Sequence, residues 1–189
     1  MAAVRGLATI AQLGEFDILI DARSPSEFAE DRLPAAINCP VLDDEQRARV
    51  GTLYKQVSPF DARKVGAVMV ARNVATAIET RFADRPRDWR PLVYCWRGGQ
   101  RSGAFSHILR EIGWDAQRLQ GGYKAWRRHV VERLANLPAR FAFRVVSGAT
   151  GRGKSRLLEA LAARGGQILH LEDLAAHKGS VLGELPDQA

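Results

Sequence analysis

Cysteine is scarce. The two in 189 residues, Cys39 and Cys95, are too few for a disulfide framework. Long apolar runs are missing as well: no uncharged stretch approaches the ~18 residues that cross a bilayer as a helix. The opening MAAVRGLATIAQLGEFD has no apolar core followed by a small-residue cleavage site, so export is not expected. Thiols in such a chain are expected to be reduced, and the expected location is the cytoplasm. The four histidines, His107, His129, His170 and His177, have no ligand spacing with one another or with the cysteines, so no metal site is expected from them. Internal repeats and low-complexity tracts are absent.

Acidic residues are in the minority: 21 Asp and Glu against 28 Lys and Arg, a formal net charge of +7. The imbalance is local. Residues 81–164 hold 18 Lys and Arg and 6 Asp and Glu, a surplus of +12, while the remainder is net acidic. Such a block suits a polyanionic partner such as nucleic acid, and equally a solvated arginine-rich surface. With 46% apolar and 26% charged residues, the composition is that of a soluble globular protein rather than a disordered one. The length allows one ordinary domain and part of a second.

Ile18 to Ile20 reads as a short buried strand ending in the polar turn Asp21-Ala22-Arg23. A short helix through SPSEFAEDR and a strand at Ala36 to Cys39 follow. Asp43 and Asp44 cap a helix whose Val50, Leu53, Tyr54 and Val57 keep helical spacing, and Ser58-Pro59 ends it. Asp61 opens another, with Val65, Val68, Met69, Ala75, Ile78 and Phe82 along one side. Pro86 to Pro91 links to the strand Leu92 to Tyr94. After a loop beginning at Cys95, a helix carries Ala104, Phe105, Ile108, Leu109 and Ile112 to a stop at Gly113. Ala116 to Leu119 forms one more strand, and Gly121-Gly122 turns into a helix with Tyr123, Trp126, Val130 and Leu134.

This alternation predicts an α/β fold over residues 1–137, a parallel sheet covered by helices on both faces. Leu137-Pro138 is the expected boundary. Residues 138–189 then start a second unit: a strand at Phe141 to Ser147, a glycine-rich loop, a helix over SRLLEALAARGG and a strand at Ile168 to Leu171. One helix between two strands cannot bury a nucleotide-binding core. The segment is therefore expected to be loosely packed, with an open sheet edge.

The run Cys95-Trp96-Arg97-Gly98-Gly99-Gln100-Arg101-Ser102 lies between an expected strand and an expected helix. In that context backbone amides turn toward one spot and the helix N-terminus adds positive potential. A thiolate is stabilised there relative to the thiol, and Arg97 and Arg101 add fixed charge. Cys95 is the expected nucleophile, and Trp96, Arg97, Gly98, Gly99, Gln100 and Arg101 form the expected anion-binding loop, so nucleophile and phosphate-like substrate meet in one pocket. A lone cysteine at a strand end is ordinarily packing; two glycines and two arginines within six residues favour chemistry. Cys39 has no such neighbours in AINCPV and reads as core. Trp96 shapes the pocket or simply packs, Trp126 packs the closing helix onto the sheet, and Asp21 and Arg23 brace the sheet edge beside the loop.

Gly148-Ala149-Thr150-Gly151-Arg152-Gly153-Lys154-Ser155 matches G-x-x-x-x-G-K-S in full. Gly148, Gly151 and Gly153 let the backbone wrap a phosphate, Lys154 neutralises it, and the Ser155 hydroxyl stands where a Mg²⁺ ligand belongs. Phosphate binding follows; hydrolysis does not. Only Glu172 and Asp173 lie where an acidic metal-binding strand end is needed, and a helix cap explains them equally well.

IDARSPSEFAEDRLPAAINCPV resembles the opening signature of rhodanese domains and LQGGYKAW their closing one, with Cys95 at the place of the sulfur-carrying cysteine. The insert GTLYKQVSPFDARKVGAVMVARN, the long loop CWRGGQRS and the P-loop after them resemble, in combination, the N-terminal half of the tRNA 2-selenouridine synthase family. HLEDLAAHKGS is similar to a segment just after that family's P-loop, which draws attention to His177, Lys178 and Ser180. The resemblance implies a rhodanese-like sheet followed by an incomplete P-loop segment, with tRNA as partner. It implies exchange of sulfur for selenium at C2 of wobble 2-thiouridine, with selenophosphate as donor and a geranylated intermediate made from geranyl diphosphate. Cys95 then carries selenium as a perselenide-like adduct or attacks the donor. Residues 96–101 hold the donor's phosphate, and Gly148 to Ser155 hold a diphosphate or a tRNA phosphate. No tightly bound cofactor is implied beyond Mg²⁺ at Ser155, and no oligomeric state.

Other chemistry is open. Cys95 and Arg101 also fit the Cys-x5-Arg-Ser pattern of cysteine phosphatases, where the cysteine attacks phosphorus and the arginine grips the phosphoryl oxygens. Tyr94 stands where those enzymes usually have histidine, and no general-acid Asp loop is visible. A simple sulfurtransferase and a non-catalytic tRNA-binding fragment are the remaining readings.

Overall fold

The computed structural model describes residues 6–149 and 151–175. The chain divides into two units, Met1–Pro138 and Ala139–Ala189.

In the first unit, β2 (Ile18–Asp21) and β4 (Pro91–Tyr94) are short apolar runs, β4 buried at every position. Such uninterrupted burial is what a strand covered on both faces requires. Their neighbours β1 (Leu7–Ala8), β3 (Ile37–Asn38) and β5 (Gln117–Leu119) are shorter. All pairs are parallel in the order β1-β5-β4-β2-β3, with Asp21 opposite Tyr94. β4 is central. β1 escapes the sequence reading because two residues carry no periodicity; pairing with β5 alone makes them a strand.

The helices are α1 (Pro25–Glu30), α2 (Asp44–Gln56), α3 (Pro59–Ala77), α4 (Gln100–Ile112) and α5 (Gly122–Asn136). A π-helical turn, Ile78–Phe82, extends α3. Side chains alternate across the sheet. Val93 and Cys95 pack with Val74, Phe82, Phe105 and Leu109 on one face, while Leu92 and Tyr94 pack with Leu33, Leu119 and Tyr123 on the other. Helices thus cover both faces, as the alternation predicts.

Two local readings change. α3 starts at Pro59 because Ser58 caps it, its hydroxyl accepting from the Asp61 N–H. One Ser-Pro pair therefore ends α2 and begins α3. The stripe assigned to these two helices is only partly their buried face: Phe82 is core and Ile78 packs against it, whereas Tyr54, Val57 and Val68 are more than half exposed. Within Pro59–Ala77, α3 also buries Ala62, Gly66 and Val74. The helices meet at Gly66, where an added Cβ would lie 3.4 Å from Val50 Cγ1, so a small residue sets the contact.

The second unit departs further. Phe141 to Ser147 and Ile168 to Leu171 are not strands; the chain instead enters the short helix α7 (Leu171–Leu174), after α6 (Lys154–Ala163). A strand needs a paired neighbour to satisfy its amides and carbonyls, and among the described residues of this unit none exists. Among its described residues the expected α/β segment is helical and has no sheet edge. The expected loose packing is present: Phe141, Phe143, Val145, Leu157, Leu169 and Leu171 are all at least half exposed, and α6 buries no residue.

Candidate active site

Open parallel sheets present functional groups at the carboxyl ends of their strands, beside the turn where the connections diverge. The residue after central strand β4 is Cys95. It is buried, with Sγ 3.2 Å from Ser102 Oγ in the first turn of α4. Between them, the N–H groups of Trp96, Arg97, Gly98 and Gly99 donate to no protein acceptor among the described residues. They adjoin the unpaired donors at the start of α4. Such a run of donors suits an anion.

α5 clamps this loop from the side. The Tyr123 N–H donates to Cys95 O at 2.9 Å and the Lys124 N–H to Trp96 O at 3.0 Å. Arg118 Nη1 reaches Gly98 O at 3.3 Å. The carbonyls are thereby turned outward to α5 and β5.

Arg97 and Arg101 look alike in the sequence but differ in place. Arg97 is exposed and has no ion-pair partner among the described residues. Arg101 donates to Glu27 Oε2 at 2.7 Å and Oε1 at 3.3 Å. Glu27, on α1, also accepts from the Ser24 N–H and lies 3.1 Å from Arg47 Nε. Burial alone pushes the Glu27 carboxyl up, but the Arg101 hydrogen bond and charge, the Ser24 amide and Arg47 outweigh it and hold the pKa below the ordinary glutamate value.

Beneath the loop, Asp21 and Arg23 form a fully buried pair, Nη2 to Oδ2 at 2.7 Å, and Arg23 Nη2 also donates to Asp31 O at 2.6 Å. These braces hold the end of β2 beside the end of β4. The Arg23 guanidinium lies 4.1 Å from the Tyr123 ring centre, and the Tyr123 hydroxyl donates to Asp31 Oδ2 at 2.6 Å. Burial, then Asp31, push the Tyr123 phenol up to about 12, so it stays a donor. The Tyr123 ring in turn lies 5.3 Å from that of Trp96.

A family model described as the rhodanese-like domain matches residues 7–129, more than half of the chain. The chain belongs to the rhodanese-like domain family. A second model, the tRNA 2-selenouridine synthase AAA domain, matches residues 141–189 of this rhodanese-like protein. It is 38% identical to the tRNA 2-selenouridine synthases of Nitrosomonas europaea, over 166 residues, and Bdellovibrio bacteriovorus, over 173. Each alignment covers 87% of this chain and 43% of the relative. The rhodanese-like protein thus spans less than half the length of these curated relatives. The crystal structure of an N-terminal domain from Clostridium difficile 630 is 31% identical, with a TM-score of 0.59, covering 66% of this chain and 98% of that one.

In the second unit of the rhodanese-like protein, the motif glycines Gly151 and Gly153 take left-handed backbone, and Gly153 opens α6. Lys154 folds back, Nζ donating to Gly148 O at 2.8 Å and Ala149 O at 3.0 Å, while Ser155 is exposed. Thr150, His177, Lys178 and Ser180 lie outside the described residues. Cys39 is core, its thiol pushed up by burial despite Arg81 Nη1 at 3.5 Å. Trp126 packs against the sheet and also lines a cleft of about 1140 Å³ along α5, with Ile10, His129 and Arg133. That cleft contains none of residues 95–101.

Sequence reasoning missed Glu27, Asp31 and the support Tyr123 gives Trp96. Glu27 has one testable signature. Its carboxylate contribution to stability is present above the unfolded value of about 4.5 and is lost as pH falls through the lower folded value. Glu27→Gln is expected to cost about 1–3 kcal/mol at pH 7. That difference from the native protein is expected to shrink below pH 4.5, in urea unfolding followed across pH. A difference independent of pH would deny the carboxylate this part.

Proposed function

We propose that this chain is the selenium-handling part of a tRNA 2-selenouridine synthase. The observation that supports the reading is a buried cysteine at the end of β4, followed by four amides without protein acceptors. The Cys95 thiolate attacks the phosphorus of selenophosphate. The P–Se bond breaks, selenide leaves, and the phosphoryl group stays on sulfur until water removes it as phosphate. The loop amides meet the phosphoryl oxygens, with Arg97 free to add its charge and Arg101 held beside them by Glu27. Geranyl diphosphate alkylates the sulfur on C2 of the wobble 2-thiouridine with loss of diphosphate. Selenide then displaces geranylthiol, and selenium remains on C2.

Gly148, Gly151, Gly153, Lys154 and Ser155 take the diphosphate or a tRNA phosphate. Among the described residues no three His, Cys, Asp or Glu side chains gather to hold a metal. A Mg²⁺ carried in with the phosphate would find the Ser155 hydroxyl. The basic block over residues 81–164 complements the tRNA backbone, and the work belongs in the cytoplasm. Among the described residues no helix is long and apolar enough to cross a membrane.

The test is mass spectrometry of wobble nucleosides after incubating the chain with 2-thiouridine tRNA, geranyl diphosphate and selenophosphate. Geranylated and selenium-containing nucleosides are expected. Absence of both, while a full-length relative makes them, leaves this chain a tRNA-binding fragment. Aryl-phosphate hydrolysis in their place favours the phosphatase, and thiosulfate-to-cyanide transfer alone favours the sulfurtransferase.

A further inference from the structure

The Trp96 indole takes no part in the phosphorus chemistry, yet it is an exposed side chain of the site that its neighbours hold in place. It directly follows Cys95, and 41% of its surface is open to solvent. Its carbonyl is fixed by the Lys124 N–H at 3.0 Å. Its ring lies against Tyr123 at 5.3 Å and 32°. Tyr123 is fixed in turn by its hydrogen bond to Asp31 and by the buried Arg23 beneath its ring. A single exposed hydrophobic residue needs no special explanation. An indole backed by an anchored tyrosine and a buried arginine, one residue from the nucleophile, does.

Rigidity of this kind lowers the entropy lost on binding a flat ligand. Two exposed cationic residues adjoin Trp96: Arg97 follows it in the loop, and Lys124 on α5 donates its N–H to the Trp96 carbonyl. A flat apolar surface flanked by cations suits one ligand class in particular, an unpaired base with its phosphates.

We propose that the Trp96 indole is the platform on which a pyrimidine of single-stranded RNA stacks when it is brought to Cys95. The inference rests on the reading of the chain as acting on tRNA and deepens it by naming the side chain that receives the base. The base leaves its own stack in the loop, exchanges that contact for the indole, and arrives with its C2 edge beside the thiol.

Binding is measured with the full chain and an anticodon-loop RNA bearing 2-thiouridine at the wobble position, against the same RNA abasic there. Titration is followed by tryptophan fluorescence and by anisotropy of a dye on the RNA. Trp96→Ala is expected to weaken binding of the base-containing RNA about 5- to 100-fold and to leave the abasic RNA unchanged. Trp96→Phe is expected to stay within a few-fold of the native protein, and Trp96→Leu to fall with alanine. Quenching by the base is expected to vanish in Trp96→Phe.

Equal affinity of the native protein and Trp96→Ala overturns the proposal, as does equal loss for the abasic RNA. Full retention by Trp96→Leu also overturns it and points to a merely apolar contact, such as a prenyl chain or a protein cover. So does failure of the native chain to bind the RNA. The readout needs no turnover. A chain that binds in the expected pattern but makes no selenouridine fails only the enzymatic reading, and one that makes selenouridine equally well with alanine at position 96 fails only this one.

Discussion

Replacing Cys95 with serine is expected to abolish selenium transfer, lowering its rate by about three orders of magnitude or more, with the fold intact. The side chain sits at the end of a buried strand, and among the described residues its hydrogen-bond partner is Ser102 Oγ at 3.2 Å. A serine hydroxyl is slightly smaller and makes the same hydrogen bond, so neither a clash nor an orphaned group results. What is lost is nucleophilicity: near neutral pH a hydroxyl offers almost no anion, and no histidine lies in the loop to generate one. The measurement is phosphate release from selenophosphate together with retention of phosphorus on the protein. Cys39→Ser supplies the control. That thiol belongs to the core on the same face and contacts Arg81 rather than the loop. Its replacement is expected to lower stability and leave transfer in place. Equal loss from both variants would mean that the effect comes through the fold and not through the nucleophile.

That Cys95 begins a strand–loop–helix turn while Cys39 does not was legible in the sequence, and the reason is local. Strand, glycine-rich loop and helix follow one another without a break from Leu92 to Ile112, so every element that shapes the cradle lies within a few residues of Cys95. Asp21 and Arg23 were legible as braces for the same reason: they end a recognisable strand. Glu27 was not. It meets Arg101 across 74 residues of sequence, and only the parallel pairing of β2 with β4 brings α1 to the start of α4. Before folding, Glu27 is simply the third residue of a capping box on Ser24. The arginines show the same limit from the other side, since composition makes Arg97 and Arg101 equivalent and tertiary structure gives one a carboxylate and the other solvent.

The errors have physical causes of the same order. The segment from Phe141 to Ser147 is mostly apolar, as β4 is, yet β4 has neighbours on both sides and the segment has none among the described residues. Propensity proposes a strand and pairing decides it. The stripe over Val50 to Val57 identified a helix correctly, because helical spacing is a local property. Which side is buried depends on the partner, and α3 approaches through Gly66 instead of a large apolar side chain.

Gly122→Ala tests the clamp that makes the cradle, and it is expected to lower stability by about 2–5 kcal/mol and to take activity with it. Two costs add. Gly122 has φ +58, and left-handed backbone costs a residue with a Cβ about 1–2 kcal/mol. The new Cβ also overlaps Cys95 O and Gly98 N, and it lies 3.0 Å from the Arg97 carbonyl carbon. All of these are backbone atoms that no rotamer change can move. Forced overpacking of this kind costs about 1–3 kcal/mol. Relief can come only by parting α5 from the loop, which breaks the Tyr123 N–H bond to Cys95 O and the Lys124 N–H bond to Trp96 O. The carbonyls are then free to turn toward the site, where they repel the anion that the amides attract. Activity therefore falls by more than the fraction unfolded accounts for. Gly51→Ala is the matched control for stability: it lies within α2, its φ is not positive, and nothing lies within 4 Å of the added carbon. That change is expected to stay within about 1 kcal/mol in urea unfolding. If both variants unfold alike, the close approach of α5 to the Cys95 loop is not what holds the amides in place.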